Sequence, residues 1–174
     1  MKTNIEIKNI AKDTISQEIK AIENLKNFIN DDFVKVVQLI FSSKGRVIIT
    51  GIGKSANIAT KIVSTLNSTG TPSLFMHAAE AIHGDLGMVQ KDDIVICISK
   101  SGETALINDK AKKAKLHNIP IISFTQGGKN TLSAMSDFPF IVNDQNHYDW
   151  NNIQTSQFYP MLLFYLEYFV EKNF

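Results

Sequence analysis

The sequence predicts an α/β protein, a three-layer α/β/α sandwich around a five-stranded parallel sheet. Two observations carry that prediction. Five short runs rich in β-branched and aromatic residues are separated by segments with helical periodicity: "RVIITGIG" (46–53), "SLFMH" (73–77), "DIVICIS" (93–99), "PIISFT" (120–125) and "FPFIV" (138–142). The runs also lack a regular apolar–polar alternation, as expected of strands buried on both faces of a parallel sheet.

The helices follow in order. Residues 5–43 carry Ile15, Ile19, Ile22, Leu25, Ile29, Val36, Val37 and Ile40 at helical spacing. The polar "NDD" at 30–32 divides them into two helices, with Asp31 or Asp32 as the N-cap of the second. Further helical segments are "KSANIATKIVSTLNSTG" after the first strand, "TALINDKAKKAKLHN" after the third and a short "NTLSAMS" after the fourth. "TSQFYPMLLFYLEYFV" (155–170) predicts a last, aromatic and mostly buried helix, with Pro160 tolerable only near its first turn. The expected organisation is one domain over 1–174, with an N-terminal helical segment (1–44) and an α/β core (45–174).

Composition excludes several function classes. The chain is 44% hydrophobic and 20% charged, with 18 basic and 17 acidic residues and a formal net charge of +1. That balance gives no electrostatic case for nucleic acid or an anionic membrane as partner. No apolar run approaches the ~18 residues that span a bilayer, and the N-terminus has no signal-peptide core. The single cysteine, Cys97, falls within a strand and reads as a buried, inert thiol. The expectation is a cytoplasmic protein.

In open parallel sheets, ligands bind at the carboxyl ends of the strands, near the point where strand order reverses. After the first strand comes "TGIGKSA". Gly51 and Gly53 are too close for a Walker A loop. Gly51, Gly53 and Ala56 match a dinucleotide fingerprint, but the second strand ends in Met76 and His77 rather than the acidic residue that would hold a ribose. The favoured reading is a tight turn that offers Gly53, Lys54 and Ser55 to a small anion at a helix N-terminus. After the third strand comes "SKSGET". Gly102 permits a backbone cradle, and Ser99, Ser101 and Thr104 add hydroxyl donors. A phosphate would use all of them, whereas the plainer alternative makes Ser101 or Thr104 a helix cap. Between the second and third strands, "AAEAIHGDLGM" sets Glu80 and His83 three residues apart, on one face if helical. His77 reads as structural and His117 as a solvated helix-end residue. After the fifth strand, "NDQNHYDWNNIQTSQF" offers His147 and Asp149 for acid–base chemistry, with Thr155 and Ser156 to cap the last helix or reach a phosphate.

"GIGKS", "STGTPSLFMHAAEAIHGDLGMV" and "ISKSGET" together resemble the sugar isomerase (SIS) family, and within it the arabinose-5-phosphate isomerase branch. The likeness runs from about residue 10 to 140. It implies a flavodoxin-like fold that binds phosphosugars, often as a dimer or tetramer with sites near subunit borders. It further implies active-site roles for Lys54 and His83, and a phosphate-holding role for Ser99, Ser101 and Thr104. The sequence departs from the branch in three respects: Leu106 stands where a glutamate is common, "NDQNHYDW" replaces a glutamate-bearing segment after the fifth strand, and the paired CBS domains of full-length members are not in these residues.

The reaction expected is interconversion of an aldose phosphate and a ketose phosphate through an enediol. In it the 99–104 loop anchors the phosphate, Lys54 steadies oxyanion charge, and His83 opens the ring or shuttles protons. Glu103 or His147 serves as the enediol base. No metal or organic cofactor is called for. The alternative is a non-catalytic phosphosugar sensor that keeps the cradle. A third and weaker reading is a mutase-like or lyase-type enzyme acting on an amino-sugar phosphate.

Overall fold

The structure is a computed structural model, and it describes residues 2–79 and 85–141. The expected helix over 155–170 lies outside the described residues.

The chain opens with α1 (Asn4–Asn24), a short 3-10 turn (Leu25–Phe28) and α2 (Asp31–Ser42). The N-cap of α2 is Asn30, not Asp31 or Asp32: its Oδ1 accepts from the amides of Asp32 and Phe33, both at 3.1 Å. The two aspartates instead occupy the first turn, where the helix dipole favours negative charge. The core then alternates β1 (Val47–Gly51), α3 (Lys54–Ser68), β2 (Ser73–His77), β3 (Ile94–Ile98), α4 (Ala105–Leu116), β4 (Ile121–Thr125), α5 (Thr131–Met135) and β5 (Phe138–Ile141). A 3-10 turn (Asp85–Met88) precedes β3.

All strand pairs are parallel, in the order β2-β1-β3-β4-β5. Because β1 and β3 are neighbours while β2 lies outside β1, the order reverses between β1 and β3. Side chains of one face, Val47, Ile49, Ile96 and Phe124 among them, pack with Phe33, Val36 and Ile40 of α2 and Ala59, Ile62 and Leu66 of α3. The opposite face, with Ile48, Val95, Cys97 and Ile121, packs under Ile107, Ala111 and Ala114 of α4 and Leu132 of α5. The sandwich is therefore three layers, and β1, β3 and β4 are buried along their whole length. Alternate residues go to opposite faces and both faces are covered, which is why their sequences show no alternation. Burial pushes the Cys97 thiol up to about 12, so it stays a thiol.

α4 also buries a lysine. Lys110 is fully buried, and its Nζ lies 3.6 Å from Asp109 Oδ2 with no hydrogen-bond partner among the described residues.

At the amino end of the sheet, Asp93 ties β3 to β1. Its carboxylate accepts from the Arg46 amide (2.8 Å), Arg46 Nη2 (2.8 Å) and the Gln90 amide (2.8 Å). Burial pushes this carboxyl up, but the hydrogen bonds from Arg46 and Gln90 outweigh it and hold the group below its usual range. A depressed folded value means that the stabilisation is present above the unfolded carboxyl's range, near pH ~4, and is lost as pH falls through the folded one. Asp93→Asn is expected to cost about 2–3 kcal/mol at neutral pH. Urea midpoints of variant and wild type should converge as pH falls through the folded carboxyl's depressed range, once the wild-type carboxyl is protonated as well.

Candidate functional site

The crevice at the β1/β3 reversal is a cavity of about 470 Å³. Ile52 and Ser55 line it from the end of β1, and Ile98, Ser99, Lys100, Ser101, Thr104 and Ile107 from the end of β3. Gln126 closes it from β4. The two loops singled out in the sequence, about fifty residues apart, thus form a single pocket.

The β1 side depends on a close approach. A Cβ on Gly51 would stand 2.8 Å from the backbone carbon of Ser55, so the first turn of α3 packs directly on the strand end. Gly53 precedes the helix at φ 59°, and Lys54 is its exposed first residue. Ser55 faces the cavity, while Lys54 stands beside it at the helix N-terminus and does not line it.

The β3 side is a ring of internal hydrogen bonds. Ser99, buried, exchanges a hydrogen bond with the Thr104 hydroxyl at 3.0 Å, and its Oγ also accepts from the Gly102 amide at 3.2 Å. The Glu103 amide donates to Ser101 Oγ at 3.1 Å. Thr104 is the N-cap residue of α4, yet its side chain makes no capping bond, because the hydroxyl is turned to Ser99. The plain capping alternative therefore does not describe Thr104. The amides of Gly102 and Glu103 already have acceptors within the loop, so the cradle is pre-organised by its own serines.

The loop is clamped from β4. Gly102 adopts φ 68°, and a Cβ there would run into the Asn130 side chain. The Gly102 carbonyl accepts from the Leu132 amide (3.1 Å) and from Asn108 Nδ2 (3.1 Å). Asn130 in turn caps α5, its Oδ1 accepting from the Ser133 amide at 2.8 Å, and its Nδ2 reaches Thr125 Oγ1 at 3.1 Å and the Gly127 carbonyl. The Gln126 amide donates to the Lys100 carbonyl at 2.9 Å.

Glu103 is not brought into the cradle. Its carboxylate accepts from the Thr131 amide (2.8 Å) and the Thr131 hydroxyl (2.7 Å), and it lines a separate surface hollow with Lys129 and Asn130. Those bonds, the hydroxyl's first, hold the carboxyl below its usual range. His77 ends β2, with its ring edge-on to Phe75, and Nδ1 accepts from the Ala79 amide at 3.3 Å. His117 closes α4, exposed. Glu80, His83, His147, Asp149, Thr155 and Ser156 lie outside the described residues.

Sequence reasoning misses Lys100, Gln126 and Asn130. Lys100 sits inside the "SKSGET" motif, where the neighbouring hydroxyl donors draw the reading to themselves. Asn130 carries a signal, an Asn at the mouth of a short helix, but its contact with Gly102 spans 28 positions and leaves no local trace.

Comparison with known proteins agrees with this geometry. The SIS domain model matches residues 39–170. The arabinose 5-phosphate isomerase KdsD of Pseudomonas aeruginosa is 43% identical over 137 residues, 79% of this chain and 42% of that protein. The arabinose 5-phosphate isomerase KpsF of Escherichia coli O6:H1 is 40% identical over 143 residues, 82% of this chain and 44% of the relative. The chain thus spans less than half the length of these relatives. An Escherichia coli CFT073 protein solved in complex with arabinose 5-phosphate superposes with a TM-score of 0.84 at 34% identity, over 98% of this chain and 93% of that one.

Gly102→Ala is expected to lower stability by about 2–3 kcal/mol, from the positive φ and the overlap with Asn130. Gly127→Ala, where an added Cβ meets nothing within 4 Å, should stay within about 0.5 kcal/mol of wild type. Thermal melts of the pair measure the clamp directly.

Proposed function

The chain belongs to the SIS domain family, and from that premise we propose that it is an aldose–ketose isomerase of a phosphosugar, with arabinose 5-phosphate the first substrate to test. The observation that carries this reading is the hydroxyl-lined pocket at the β1/β3 reversal, built from Ser55, Ser99, Ser101 and Thr104. The relatives named as arabinose 5-phosphate isomerases and the structure solved with that sugar phosphate support the same substrate class.

In this reading the phosphate sits against those hydroxyls, at the positive ends of α3 and α4, and holds the far end of the sugar in register. A base takes the proton from C2 as the C1 carbonyl oxygen gains one, which gives the enediol. Return of a proton to C1 with loss of the O2 proton gives the 2-ketose phosphate. No electron acceptor enters the balance. Lys54, beside the pocket at the start of α3, steadies the developing oxyanion, and His83 opens the ring and shuttles protons. Of the two candidate bases, the double engagement of Glu103 by Thr131 favours His147. Glu103 then acts as a positioning residue that fixes the loop to α5. The cytoplasm is the compartment that fits a phosphosugar substrate.

The decisive experiment follows C2 proton exchange by NMR in deuterated water, with a panel of pentose, hexose and heptose phosphates. Exchange with one of them, arabinose 5-phosphate first, is the expected result. Thermal stabilisation by a phosphosugar without any exchange would instead establish the sensor. His83→Ala should abolish turnover while leaving phosphosugar binding within about tenfold. Ser99→Ala should raise KM by roughly 10–100-fold, since it removes a ligand donor and strands the Gly102 amide. Glu103→Gln should keep turnover within about tenfold, whereas His147→Gln should cost at least ~100-fold; the reverse pattern returns the base to Glu103.

A further inference from the structure

A second cavity, of about 610 Å³, lies at the amino ends of β3 and β4, where the end of α4 meets the segment that leads into β3. Its volume is that of a small-molecule site. Ala114 and Ile119, both buried, and the half-buried Val89 give it an apolar floor. The exposed Lys91, Lys113 and His117 stand round that floor, and among the described residues no acidic side chain lines it. Two separate stretches of chain thus bring basic groups to one hollow.

Basic side chains in the last turn of a helix commonly serve its free carbonyls. The end of α4 has no such need. Asn118 turns at φ 55°, its amide donates to the Lys115 carbonyl at 3.0 Å, and the Ile119 amide donates to the Ala114 carbonyl at 3.0 Å. The backbone therefore closes the helix by itself. Lys91 belongs to no helix, and among the described residues its side chain has no hydrogen bond or ion pair. One carboxylate serves the lysines of this face of α4: Asp109 Oδ2 lies 3.5 Å from Lys113 Nζ and 3.6 Å from the Nζ of the buried Lys110, which has no hydrogen bond. Asp109 and Lys113 are both half-exposed, so their pairing is weak. One acid shared by two ammonium groups leaves the wall of the hollow positive, and Lys91 adds to it. The negative end of the α4 dipole, about half a charge, does not cancel that excess.

We propose that this hollow is a second ligand site, for a small organic anion whose phosphate or carboxylate group meets Lys91 and Lys113 while its apolar body covers Val89, Ala114 and Ile119. A lysine is a mobile point charge and accepts either acid group, and His117 adds a ring donor. The two halves of the hollow select the ligand together. A bare inorganic ion would leave the apolar floor in water, and a neutral apolar molecule would leave the lysines without a counter-charge. The site is distinct from the crevice at the β1/β3 reversal: α4 starts at the cradle and ends here, a length of ~18 Å. It is independent of the proposed isomerase activity.

The test titrates the full, nitrogen-15-labelled chain with phenyl phosphate and with benzoate, against inorganic phosphate and benzyl alcohol, and follows the amide signals. At least one aromatic anion should shift Gly87, Val89, Ala114 and Asn118, and bind there about tenfold or more tightly than inorganic phosphate or the alcohol. The tighter of the two anions identifies the acid group. Lys91→Gln with Lys113→Gln should weaken that binding by about tenfold or more. Gly87→Leu should block it with the melting temperature kept, since Gly87 lines the hollow and an added Cβ meets nothing within 4 Å. Shifts confined to residues 99–104, binding that inorganic phosphate or benzyl alcohol equals, or binding that survives these substitutions would each overturn the proposal. Should the double variant fail to fold, Gly87→Leu decides.

Discussion

The contact between Gly102 and the Asn130 side chain is the constraint on which the cradle depends. It lets the loop after β3 turn at positive φ, and it fixes that turn against the loop after β4. Asn130 is itself committed to the Ser133 amide and the Thr125 hydroxyl, so the glycine rests on a side chain that cannot swing aside. From that fixed point the Gly102 amide meets Ser99, Ser99 meets Thr104, and the hydroxyls come to line one cavity. A loop left to solvent would spread the same donors over many conformations and lose their convergence on one anion.

The sheet explains why those donors gather where they do. Its central strands are buried on both faces, which leaves polar chemistry only at the strand ends. The amino end is given to the Arg46–Asp93 tie, which is structural and satisfied from both sides. At the carboxyl end, the chain departs from β1 and β3 in opposite directions, and among the described residues this leaves a crevice at their reversal. The tie and the crevice are thereby placed at opposite edges of the same sheet.

The two N-terminal helices follow a different logic. α2 buries Phe33, Val36 and Ile40 against the sheet and belongs to the core, whereas α1 keeps its isoleucines outside it. The SIS domain model matches residues 39–170, whereas the superposition on the Escherichia coli CFT073 protein takes in 98% of this chain.

Much of this was legible in the sequence. The five apolar runs with intervening helical periods determined an α/β sandwich, and "GIGKS" with "SKSGET" marked the two loops of the pocket, because turn chemistry is local and written in adjacent residues. Tertiary structure decided what depends on distant partners. Lys110 reads as one more solvated lysine of a basic helix, yet the packing of α4 buries it. Glu103 reads as a candidate enediol base, yet its carboxylate is engaged by the amide and hydroxyl of Thr131, 28 residues on. Thr104 has the identity of a cap and spends its hydroxyl on Ser99. For Glu103 and Thr104 residue type announces a capability, and only the neighbours brought up by the fold determine which hydrogen bond satisfies it.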